Sequence, residues 1–124
     1  MEGHDPTLSS TNLGVSSAVQ AAVVMSGGPE AYNKRAIAEG AMFQSPYNPT
    51  NAPMIMLHGA IDWIVNVTIN VEANRAGYAR SGVPFEAHIF PNTSHCEKDV
   101  ESEASVVHYS IPFVAKHVGL TLKD

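Results

Sequence analysis

One cysteine, Cys96, is present in the 124 residues, so no internal disulfide can staple the chain. Cations are scarce as well. Seven Lys and Arg against twelve Asp and Glu leave a formal net charge of -5, and the basic residues are not gathered into any segment. A nucleic acid or an anionic membrane surface requires such a cluster, so neither is expected as a partner. No apolar run approaches the ~20 residues that cross a bilayer, and the chain does not open with a basic stretch followed by an apolar one, as a secretion signal would. These absences favour a cytoplasmic protein. A Gly-x-Ser-x-Gly stretch is also missing, and with it the sequence signature of a serine held on a tight strand-to-helix turn.

What is present suffices for one folded unit. Apolar residues make up 44% of the chain and charged residues 15%, a balance that fits a globular domain with a modest core rather than a disordered chain. Residues 1–18 are rich in Ser, Thr, Gly and Asn without periodicity and are expected to form a mobile leading segment; residues 19–124 are expected to form a single domain. Val19 to Met25 is an apolar run of strand length. Ser26-Gly27-Gly28-Pro29 then punctuates it and opens a helix ending near Glu39. The proline-rich stretch from Ser45 to Pro53 reads as a loop that delivers the chain to a second strand, Met54 to Leu57. A helix from Val67 to Arg80 follows, with Asn66 or Thr68 as cap and Gly82 beyond its end. Phe85 to Phe90 is a third strand, and Glu101 to Val118 a last helix whose Val107, Ile111, Val114 and Val118 share a face and whose Pro112 should kink it. Strands alternating with helices at this spacing predict an α/β class, with about three parallel strands flanked by helices.

In such a sheet, ligands bind beyond the carboxyl ends of the strands. Ser26, Asp62 and His95 each follow one expected strand directly. An Asp that fixes the tautomer of a His and stabilises its cation, with a nearby serine, is the apparatus of nucleophilic hydrolysis. Simpler roles compete: Asp62 as a turn cap, His95 as a solvated loop residue, Ser26 as a small residue where the chain bends. Ser26 is the weak member of the three, because Val24, a β-branched residue, stands where a nucleophile turn has its first glycine. Cys96 beside His95 reads better as a packed thiol than as a nucleophile, since adjacent residues on an extended segment point apart. His58, His88 and His95 lack the spacing of a metal site; His58 is expected to order the strand end and His88 to be half-exposed on its strand. No cofactor or metal is indicated.

The strand before Ser26-Gly27-Gly28-Pro29, the Ser45-Pro46 pair, the segment His58-Gly59-Ala60-Ile61-Asp62-Trp63-Ile64-Val65, Gly82-Val83-Pro84-Phe85 and finally Pro91-Asn92-Thr93-Ser94-His95 together resemble the C-terminal half of α/β-hydrolases of the carboxylesterase, feruloyl esterase and dienelactone-hydrolase-like type. The resemblance covers most of the chain from about Val19. It implies a minimal or truncated α/β-hydrolase fold, with Asp62 as triad acid and His95 as general base. It also implies a nucleophile turn on a strand preceding Val19, with Glu2-Gly3-His4 looking like sequence shortly after that turn, so that this chain begins beyond it. Cys96 departs from the pattern, which commonly has glycine after the histidine.

Two functions follow as expectations. One is a serine-type esterase acting on small carboxylic esters or lactones through Asp62 and His95, with Ser26 as candidate nucleophile. The other is a catalytically inactive remnant serving as a binding or assembly module. In either case the edge of the 19–25 strand, which carries no lysine or proline to discourage pairing, is expected to join a second copy in a homodimer or higher oligomer.

Overall fold

The computed structural model describes residues 19–27, 47–97 and 102–123. The expected leading segment, the helix from Pro29 to about Glu39, Ser45-Pro46 and the expected helix start at Glu101 lie outside the described residues.

The apolar run after Pro53 becomes the middle strand of a three-stranded sheet. This strand, β2 (Met54–Gly59), is flanked by β1 (Ala22–Met25) and β3 (Phe85–Phe90), both parallel to it. Ala22 lies opposite Met54, and Met54 opposite Phe85. Every residue of β2 is buried because both faces of the sheet are covered, which is why its sequence is a continuous apolar run rather than an alternation. On one face Met54 and Met56 pack with Val71 and Tyr78 of the following helix; on the other, Ile55 and Leu57 pack with Phe113. The class is α/β, a truncated version with three parallel strands between helices, as the spacing of elements predicts.

β1 is shorter than expected. Its ladder starts where Pro53 O receives the Ala22 N–H at 2.8 Å, and Val19 and Gln20, upstream of that point, are exposed. A strand extends only as far as its partner does, and the proline-rich loop ends the partner at Met54.

Helix α1 (Val67–Ser81) starts and stops where its end signals stand. Asn66 caps it by accepting the Ile69 N–H at 2.9 Å, and Gly82, at φ 72°, ends it in the left-handed conformation. Gly77, costly in a helix interior, has a packing reason: a Cβ there would run into the Tyr47 ring, which stands edge-on to Tyr78 with centroids 5.9 Å apart.

The last helix departs from expectation. Three pieces follow one another without a break: α2 (Glu103–Ser105), a π-helical turn (Val106–Ser110) and α3 (Ile111–Val118). Pro112 does not end the helix; its missing N–H falls at the start of α3, directly after the wide turn. The buried face is also different. Phe113 and Ala115 are buried; of the expected face Val114 packs against the Ile55, Leu57 and Phe113 cluster, while Val107, Ile111 and Val118 are exposed, and the sheet takes the larger aromatic surface. Among the described residues no helix is long and apolar enough to cross a membrane.

Candidate active site

Two loops leave the carboxyl edge of the sheet side by side, one after β2 and one after β3. Gly59, the last residue of β2, lets them touch: a Cβ at this position would collide with the carbonyl oxygens of Thr93 and Ser94, so only glycine admits the second loop this close. Two backbone bonds join the loops, from Ala60 N–H to Phe90 O at 2.9 Å and from Ile61 N–H to Thr93 O at 3.1 Å.

Asp62 sits at the centre of the first loop. Its Oδ1 accepts the N–H groups of Ile64 at 2.9 Å and Val65 at 2.7 Å, folding the chain into a turn around the carboxylate. Its Oδ2 meets His95 Nδ1 at 2.8 Å, across 33 positions of sequence. The Asp62 side chain is fully buried and the His95 ring keeps 25% of its surface exposed. Burial pushes the Asp62 carboxyl up, but the Val65 N–H, the His95 imidazole and the Ile64 N–H together outweigh it and hold the group below its ordinary value of 3.8. At neutral pH the pair is therefore a carboxylate facing a ring N–H. With the proton on Nδ1, the lone pair of His95 Nε2 is the one able to take a proton.

His58, fully buried at the end of β2, donates from Nε2 to Val65 O at 2.9 Å and stands 3.2 Å from Asp62 Oδ2. It orders the strand end as expected, and it does so by closing the turn that holds Asp62. Its Nδ1 is buried and has no hydrogen-bond partner among the described residues. His88 is half-buried and stacks against Tyr109 with centroids 4.1 Å apart. His58 and His95 thus share Asp62 Oδ2, while His88 stands apart from both.

Ser26 lies where β1 ends, 3% exposed and at φ 51°, so the backbone there is in the left-handed region that favours glycine. Its Oγ accepts the Cys96 N–H at 3.0 Å. Among the described residues it bonds to the loop that carries His95 and not to the imidazole itself. Cys96, expected as a packed thiol, is exposed, on a loop residue at φ 50°. The sequence reading missed three features here: the contact of His58 with Asp62, the close approach at Gly59 and the bond from Ser26 to Cys96. A glycine two residues past the expected end of the strand was the available signal for the second; nothing in the residue pattern signalled the other two.

Solved structures of the same shape are α/β hydrolases. One is MGS-M1, an α/β hydrolase enzyme from a Medee basin deep-sea metagenome library, 18% identical, with a TM-score of 0.56 over 82% of this chain and 45% of that one. Another is a thermophilic esterase from the Planctomycetes species Thermogutta terrifontis, determined with propionate bound, 16% identical, with a TM-score of 0.61 over 91% of this chain and 48% of that one. The fold is that of the α/β hydrolases, and the chain spans about half the length of these two structures. No protein-family model and no curated protein matches the sequence.

Proposed function

We propose that the chain carries the acid and base of a carboxylic ester hydrolase, with His95 as general base and Asp62 as the group that orients it. The observation that carries this reading is the 2.8 Å contact between the buried Asp62 carboxylate and the part-exposed His95 ring. In the reaction, His95 Nε2 takes the proton of an attacking serine hydroxyl and later gives it to the departing alkoxide, while the Asp62 carboxylate stabilises the imidazolium formed in between. Small carboxylic esters and lactones are the substrate class, and the scarcity of cysteine supports a cytoplasmic setting. A second reading, a binding or assembly module without turnover, is favoured by the missing Gly-x-Ser-x-Gly stretch.

Hydrolysis of a short-chain aryl ester by the purified chain, beside its His95→Ala variant, tests both. Slow turnover is expected, well below the median enzyme rate of about 10 s⁻¹, and it should vanish in the variant. A rate that survives His95→Ala removes the acid-base assignment. No rate in the parent chain supports the second reading.

A further inference from the structure

The loop that carries His95 leaves β3 at Phe90 and is fixed to the Asp62 loop at two points, Phe90 O and Thr93 O, both upstream of the histidine. Downstream of it, among the described residues, the Cys96 N–H bonds to Ser26 Oγ of another element. The neighbouring bond from the Ser94 N–H to Glu97 Oε2, 2.9 Å, stays within the loop and anchors nothing outside it. His95 is therefore bracketed, with backbone anchors on one side and a side chain from β1 on the other.

The aim of the Ser26 hydroxyl is set by its backbone. The Ser26 N–H donates to Leu57 O at 2.9 Å, one step past the end of the β1–β2 ladder, and the chain then turns left-handed. Glycine suits that turn without steric cost, whereas a serine is crowded there by its own Cβ. The hydroxyl brings what glycine lacks, an acceptor 3.0 Å from the Cys96 N–H across 70 positions of sequence. Cys96 is itself left-handed at φ 50°, so each end of this bond is a turn that neither residue type favours in isolation.

We propose that Ser26 is a positioning residue, whose hydroxyl ties the His95 loop to the end of β1 and so holds the imidazole against Asp62. This rests on the reading of Asp62 and His95 as the acid and base, and it replaces attack by Ser26 with a role exerted through the histidine. The Ser26 oxygen accepts from the loop backbone and, among the described residues, makes no bond to the imidazole that would have to take its proton.

The test compares the full chain with Ser26→Gly, which keeps the left-handed turn and deletes the hydroxyl. Carboxyl ¹³C NMR follows the titration of Asp62, and circular dichroism verifies the fold of the variant. In Ser26→Gly, Asp62 should titrate at higher pH than in the parent, because the His95 contact loosens. Ester hydrolysis, followed in parallel, should fall about three- to tenfold in Ser26→Gly, chiefly in kcat. An Asp62 titration unchanged in Ser26→Gly overturns the proposal. So does covalent attachment of a fluorophosphonate ester to Ser26, which would make it the nucleophile. A parent chain that hydrolyses no ester defeats the hydrolase reading alone, since the Asp62 titration still reports whether Ser26 holds the loop.

Discussion

Replacing Asp62 by Asn changes almost nothing in shape and inverts one hydrogen bond. The amide oxygen can keep the N–H groups of Ile64 and Val65, so the turn survives. The amide nitrogen then faces His95 Nδ1 in place of a carboxylate oxygen at 2.8 Å. Two donors cannot bond, so His95 must move its proton to Nε2 and lose the free lone pair there. A hydrogen bond to a charged group contributes about 1.5–3 kcal/mol, and the neutral one that replaces it about 1 kcal/mol, which leaves a loss of about 0.5–2 kcal/mol. His58 retains its bond to Val65 O but gives up its contact with the replaced oxygen, 3.2 Å from its Nε2. For a domain of this size that corresponds to a drop in Tm of about 2–8 °C at pH 7. Acid behaviour gives the sharper signature. Because the folded state holds the Asp62 carboxyl below its ordinary value of 3.8, the group stabilises the parent above that pH and loses its contribution as pH falls through the lowered value. Asp62→Asn has no such group, so the gap between the two melting curves should narrow on acidification from pH 5 to pH 2. Any ester hydrolysis should fall by a factor of about 10⁴, as wrong-tautomer variants of Ser-His-Asp enzymes do. A gap independent of pH, together with an unchanged rate, would refute the reasoning.

Gly59→Ala should destabilise by about 2–3 kcal/mol in urea unfolding, since its Cβ meets backbone carbonyls of Thr93 and Ser94 that cannot swing aside; a neutral result would mean that the two loops are not in contact. Phe113→Ala should cost about 3–5 kcal/mol by the same assay, for it empties the packing against Ile55 and Leu57, whereas Val107→Ala on the exposed face should change stability by less than about 0.5 kcal/mol. We also propose that β1, which has β2 as its one strand neighbour among the described residues, pairs with β1 of a second copy. Sedimentation equilibrium at micromolar concentration should give twice the 13.2 kDa of one chain, and the mass of a single chain would defeat the idea.

Where local chemistry sets an element, the sequence announced it. Pro53 before Met54, the Asn66 cap and the left-handed Gly82 mark ends that the chain obeys irrespective of its surroundings, so β3 and α1 are legible almost to the residue and β2 in its start, while β2 runs two residues beyond the expected Leu57. β1 was read too long because its extent is decided by where β2 begins. The last helix keeps Val114 of its expected face inward but not Val107, Ile111 or Val118, and its π turn leaves no mark in a hydrophobic pattern. The same division runs through the site. Asp62 and His95 could be placed together because each directly follows a strand of one parallel sheet, a geometry that topology guarantees. The bond between Ser26 and Cys96 could not, since it spans 70 positions and depends on left-handed backbone at two residues that seldom adopt it.

Asp62, the His58 that closes its turn, the Gly59 that admits the neighbouring loop and His95 itself are all delivered by the contiguous stretch from β2 through α1 to the loop after β3. The Asp62–His95 pair is thus assembled by one supersecondary unit, with a sequence separation of 33 between the two residues. Among the described residues, its contacts are internal to that unit except for one tie, the Ser26 hydroxyl on the Cys96 N–H, which comes from β1. Changes elsewhere in the chain can therefore leave the Asp62–His95 contact standing and still loosen the loop on which His95 sits.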